Sequence, residues 1–232
     1  SSLTNSVFNT LDIYELNRTI YIVSCYAEGS DLTKCEIKSL KDAVKIVLSA
    51  AKSIEKIHNK GYLYLDLKPE NIFVFDETYE LIQLFDFDSI IPINAENNIL
   101  EYRISYSTGF APIEQKMGIL SKLGRYSDIY SIGALLFYLL FGRAATAFDC
   151  GEETIYDFGE MKWKDCYRDK LYTELTEFFH HTLESYYVQR YQSMDIAVRQ
   201  LEKIEEYADI SKPFIYSSAI PDNELSLEEK KK

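Results

Sequence analysis

The chain has 232 residues, 47% of them hydrophobic, so it can bury a sizeable core and is not a wholly disordered polypeptide. Its formal net charge of −12 speaks against nucleic acid or an anionic membrane as the main partner, although a local nucleotide site is compatible with it. Four cysteines (Cys25, Cys35, Cys150, Cys166) form no CxxC pair, and with three histidines they make no zinc pattern; they read as free thiols of a reducing, cytoplasmic compartment.

Residues 1–10 are polar and carry no secretory signal. Residues 11–28 alternate and are rich in Ile, Tyr and Val. Asn17-Arg18 divides them, which predicts a two-stranded hairpin ended by Gly29-Ser-Asp31. A helix is expected over 39–59. Ser39 can cap it with Asp42 three residues on, and Val44, Val47, Leu48, Ala51, Ile54 and Ile57 form one apolar stripe. Gly61 stands just past its end, where a left-handed cap belongs.

Short strands are predicted around 72–75 and 81–85. Residues 88–114 show no clear period, and a loop that long inside a compact domain is usually functional or disordered. The run 128–141 is apolar on nearly all faces and reads as a helix buried in the core, too short in its apolar part to span a bilayer. Two further helices are expected over 172–183 and 193–207. After Ala208 the chain turns polar, and 211–232 reads as a linker or tail with another domain possible downstream.

Asp66, Lys68, Asn71 and Asp86 carry the chemistry. Phosphoryl transfer needs a carboxylate to position the acceptor, oxygen ligands for Mg²⁺ and a cation to offset phosphate charge. Mg²⁺ takes one or two protein oxygens and completes its shell with water and phosphate. Taken singly, Asp and Asn residues are ordinary turn and cap formers. Their joint spacing in Asp66-Leu-Lys68-Pro-Glu-Asn71 and Asp86-Phe-Asp88 is what points to a site.

These residues resemble the eukaryotic-type serine/threonine protein kinase family, in the form common in bacteria. The resemblance implies that Asp66 orients the substrate hydroxyl, Lys68 contacts the transferred phosphate, Asn71 binds a metal ion, and Asp86 bridges Mg²⁺ to ATP. Gly109-Phe-Ala-Pro-Ile-Glu114-Gln is similar to the end of the activation segment. Ser127-Asp128-Ile-Tyr-Ser-Ile-Gly133 is similar to the start of the central helix, whose aspartate holds the catalytic-loop backbone. Arg190 stands where a late arginine pairs with the Glu114 equivalent. Ser24 takes the gatekeeper position of a hinge, and the backbone of Cys25, Tyr26 and Ala27 would face adenine. The implied fold class is α+β: a protein-kinase-like fold with a mainly helical C-lobe over 31–208, a remnant of the N-lobe sheet and hinge over 1–30, and a tail over 209–232. The partner is then a protein presenting Ser or Thr.

Three departures stand out. No glycine-rich loop or lysine strand precedes residue 11, so the resemblance implies a fragment of a longer kinase, with weak or no activity by itself. Tyr64-Leu65 replaces the family's His-Arg, which removes the usual partner of a phosphorylated activation loop; phosphorylation at Ser105, Ser107 or Thr108 is therefore not expected to drive activation. Asp88 replaces a glycine, so a left-handed backbone is expected there, at a cost of about 1–2 kcal/mol. Two alternatives follow: a pseudokinase-type interaction module, and a small-molecule kinase of related fold. The Lys68-Pro69 pair and the Glu114, Asp128 and Arg190 set favour the protein-kinase branch over the latter.

Overall fold

The computed structural model describes residues 10–24, 26, 28–76, 78–93, 105–151, 154–163 and 169–208. It opens with the expected hairpin, β1 (Thr10–Leu16) antiparallel to β2 (Thr19–Ser24). Asn17 and Arg18 both take positive φ (53° and 62°), the signature of a two-residue turn whose twist matches the strands. Tyr14 and Tyr21 stack across the pair at 5.2 Å. Leu11, Ile13 and Ile20 remain exposed.

The hairpin stops before Gly29, and the next two residues enter a second, separate sheet. Ser30–Asp31 forms β3 against β5 (Ile72–Val74), and β5 pairs in turn with β6 (Ile82–Leu84). The expected end of the hairpin before 29–31 therefore holds, and Ser30–Asp31 starts a separate sheet. The cause is close approach: a Cβ on Gly29 would lie 2.3 Å from the Val74 carbonyl oxygen.

α1 (Leu40–Asn59) is capped as its sequence dictates, with Ser39 Oγ accepting from the Asp42 amide at 3.1 Å. Its stripe of Val44, Val47, Leu48, Ala51 and Ile54 is buried against α3 (Arg125–Phe141) and α5 (Met194–Ala208). Gly61, at φ 86°, turns the chain back into β4 (Tyr62–Leu63), which pairs with β7 (Ile91–Pro92). Between β7 and α3 lies the one-turn helix α2 (Ile113–Lys116), and α4 (Asp169–Thr182) precedes α5.

α3 is buried on nearly every face and forms the spine of the helical layer. It begins three residues before the expected Asp128, because Ser127 Oγ accepts from the Gly124 amide and so caps an earlier turn. Its Gly133 faces α4: an added Cβ would stand 2.2 Å from Thr182 Oγ1 and 2.5 Å from Thr182 Cβ. Gly133→Ala should therefore cost about 1–3 kcal/mol by overpacking a rigid crossing. A thermal melt should show a fall of roughly 5 °C; an unchanged midpoint would mean that the helices separate freely.

Candidate active site

The catalytic loop is fixed from the backbone outward. Leaving β4, the amides of Tyr64 and Leu65 donate to Asp128 at 2.9 and 2.7 Å. Asp128 is fully buried in the first turn of α3 and also receives His58 Nε2, from the end of α1, at 2.8 Å. Charge-assisted bonds of this kind make a buried carboxylate a rigid anchor. It helps to hold Leu65 at φ 63°, a left-handed conformation that costs a non-glycine residue about 1–2 kcal/mol. Gln115 of α2 fastens the same residue from the other side: its Nε2 donates to the Leu65 carbonyl at 2.6 Å and to the Ser105 carbonyl at 2.9 Å.

The loop so held brings Asp66, Lys68 and Asn71 together. Asp66 Oδ2 accepts from Lys68 Nζ and Asn71 Nδ2, both at 2.8 Å, and Asn71 Nδ2 also reaches the Asp66 carbonyl at 2.9 Å. Asp66 Oδ1 faces the other way and accepts the Ser107 hydroxyl at 2.7 Å. Lys68 Nζ lies 3.3 Å from the same Ser107 Oγ. A serine hydroxyl thus rests between the carboxylate and the ammonium.

Asp86 follows β6, with its side chain exposed. The preceding Phe85 ties it to the loop: the Phe85 amide donates to the Asn71 carbonyl at 3.1 Å, and its carbonyl accepts the Tyr64 hydroxyl at 2.5 Å. Burial pushes that hydroxyl far above the usual tyrosine range, and the carboxylates of Asp66, Asp86 and Asp128 add to the effect. Tyr64 therefore serves as a neutral donor.

The donor set suits a hard cation. Asn71 spends its nitrogen on Asp66, so its oxygen is the atom that would face a metal, and Asp86 offers an exposed carboxylate. Two such oxygens are what Mg²⁺ takes from protein when phosphate supplies the rest. No cluster of three or more His, Cys, Asp or Glu residues is gathered among the described residues.

Glu114 and Arg190 meet in a bidentate pair, NH1 to Oε1 at 2.7 Å and NH2 to Oε2 at 3.1 Å, with both side chains buried. Of the residues expected to face adenine, Cys25 and Ala27 lie outside the described residues, and Tyr26 is 92% exposed. The left-handed residue expected at Asp88 is instead Asp86, at φ 60°. Asp88 sits inside an ordinary turn closed by the Ile90 amide on the Phe87 carbonyl at 3.2 Å, and such a turn needs no positive φ. A surface hollow of about 620 Å³ is lined by α4 and one of about 670 Å³ by the loops after α3 and after α4, and no catalytic-loop residue lines either.

Sequence reasoning missed Ser107 as a partner of Asp66, and missed His58 and Gln115 as supports of the loop. Ser107 was visible only as a hydroxyl in the unpatterned segment. Gln115 carried one signal, its place beside Glu114.

A carboxylate, a cation and an amide on one short loop, anchored by a buried aspartate at the head of a central helix, define a phosphotransferase-type site on an α+β fold. The chain belongs to the protein kinase family, whose protein kinase domain model matches residues 2–200. It is 29% identical over 163 residues to ribosomal protein S6 kinase 2 alpha of Xenopus laevis, covering 66% of this chain and 22% of that protein. It is 30% identical over 168 residues to serine/threonine-protein kinase B of Synechocystis sp., covering 66% of this chain and 28% of that one. The twitchin kinase region of C. elegans superposes with a TM-score of 0.60 at 22% identity, over 84% of this chain and 35% of that one. This last likeness supports the fold alone. The chain spans about a quarter of the length of these curated relatives.

Proposed function

We propose that this chain carries the catalytic-loop half of an ATP- and Mg²⁺-dependent protein serine/threonine kinase. The observation that supports it best is the seat of Ser107: a serine hydroxyl bonded to Asp66 Oδ1 while Lys68 covers Oδ2. That is the position an acceptor hydroxyl needs.

On this reading Asp66 orients the acceptor hydroxyl and takes up its proton. Lys68 keeps a cation beside the developing charge. Asn71 and Asp86 would hold Mg²⁺; ATP would supply the transferable phosphoryl group and the ion would offset its charge. The backbone of Cys25, Tyr26 and Ala27 meets adenine. Asp128 and the Glu114–Arg190 pair keep the loop and the acceptor side in register. The domain division at 1–30, 31–208 and 209–232, a cytoplasmic setting, a protein substrate and a possible further domain downstream complete the proposal. Among the described residues, no helix is long and apolar enough to cross a membrane.

The test is Mg·ATP binding and autophosphorylation by the full natural gene product, with Asp86→Asn alongside. Wild type should bind the nucleotide in a Mg²⁺-dependent way and incorporate phosphate on Ser or Thr. Asp86→Asn should lose the metal-dependent part of binding, by about tenfold or more. Binding without transfer would favour the interaction-module alternative, and transfer to a small molecule but to no protein would favour the third.

A further inference from the structure

Leu65 occupies the position at which the family resemblance calls for an arginine, and its side chain is not idle. It is buried with Leu63, Ile91 and Leu123 in a small apolar cluster separate from the main core, flanked by Ile93 and Leu120. The cluster joins the catalytic loop, β7 and the approach to α3 without a charge. The neighbouring segment at 105–107 is tied down by neutral donors of its own and of Gln115, with one bond to the Asp66 carboxylate. Gln115 holds the Ser105 carbonyl, the Ser105 and Ser89 hydroxyls meet at 2.7 Å, and Ser107 bonds Asp66.

Gln115 bridges both parts from outside them, since its single nitrogen donates to Leu65 on the catalytic loop and to Ser105 on the acceptor-side segment. Its oxygen is buried without a hydrogen-bond partner among the described residues. A buried amide with an orphan acceptor costs stability. An apolar residue would avoid that cost, so the position is explained by what the nitrogen does.

We propose that Gln115 is a positioning residue: it clamps the acceptor-side segment to the catalytic loop, and with the packing of Leu65 it replaces a phosphate–arginine contact by a permanent, uncharged latch. The proposal rests on the kinase reading for the meaning of "acceptor side". The clamp itself is testable without any phosphoryl transfer, so the two can fail separately.

The experiment is amide hydrogen exchange of residues 105–112 in the full chain, comparing wild type with Gln115→Met and Gln115→Glu. Methionine keeps the shape and removes both donors, so protection of 105–112 should fall by about tenfold or more while the helical core keeps its own. Glutamate places a carboxylate against two carbonyl oxygens and should open the segment at about pH 8. Burial against two carbonyl oxygens favours the neutral acid, which regains one donor, so intrinsic-rate-corrected protection should recover as the pH falls toward about 5. A purely space-filling role would not produce that pH dependence. Wild-type protection in Gln115→Met overturns the proposal. If that variant does not fold, Gln115→Glu decides alone: recovery on acidification supports the clamp, and a pH-independent profile overturns it.

Discussion

Asp66→Asn should lower phosphoryl transfer by the full natural chain by about 10²–10⁴-fold, with nucleotide binding and the fold retained. The surroundings dictate how the new amide sits. Lys68 Nζ and Asn71 Nδ2, both donors, press on Oδ2 at 2.8 Å. An asparagine avoids donor–donor contact only by turning its oxygen to them, and its NH₂ then faces the Ser107 side, where Oδ1 now accepts a hydroxyl at 2.7 Å. The group that should accept the acceptor's proton becomes one that can only donate. Because the replacement is isosteric and Asp128 still holds the Tyr64 and Leu65 amides, the backbone has no cause to move. The measurement is kcat and the KM for ATP. A fall confined to kcat is expected, and a kcat within about threefold of wild type would remove Asp66 from the chemistry.

What was legible in the sequence follows from what is local. The hairpin, the capped start of α1 and the strands near 72 and 82 depend on neighbouring residues, and the chain supplied the signals: two turn residues with positive φ, a serine with an aspartate three on, alternating Ile, Val and Leu. The pairs β3–β5 and β4–β7 involve strands of two residues, too short to show a period, and their partners are distant in sequence. Asp66, Lys68 and Asn71 could be read because phosphate chemistry needs those side chains and they lie within one loop. Ser107, His58 and Gln115 could not. Ser107 reaches Asp66 across 41 residues, Gln115 reaches Leu65 across 50, and His58 reaches Asp128 across 70. The left-handed residue at Asp86 in place of Asp88 shows the same limit. Residue type sets how cheaply a position can adopt positive φ, and the path of the chain decides which position must.

Arg190→Met should destabilise the fold by about 3–5 kcal/mol. The guanidinium is spent completely in a buried setting: Nε on the Glu184 carbonyl at 2.6 Å, NH1 on Glu114 and the Tyr126 carbonyl, NH2 on Glu114 and the Ser185 carbonyl. It also lies 5.0 Å from the centre of the Tyr130 ring. Methionine fills much of the space and satisfies none of the acceptors, and it leaves Glu114, 2% exposed, as a buried charge with only the Ser127 hydroxyl, at 3.0 Å, among its side-chain donors. A melting point lower by roughly 10 °C is expected for a chain of this size. Adding Glu114→Gln removes the stranded charge, so the double variant should recover part of the loss. The coupling energy from that cycle should be about 2 kcal/mol or more. Strict additivity would mean that the two residues, although in contact, do not depend on each other. In that case Arg190 would be held by the carbonyls of Tyr126, Glu184 and Ser185 alone, none of which lies on α2, which bears Gln115.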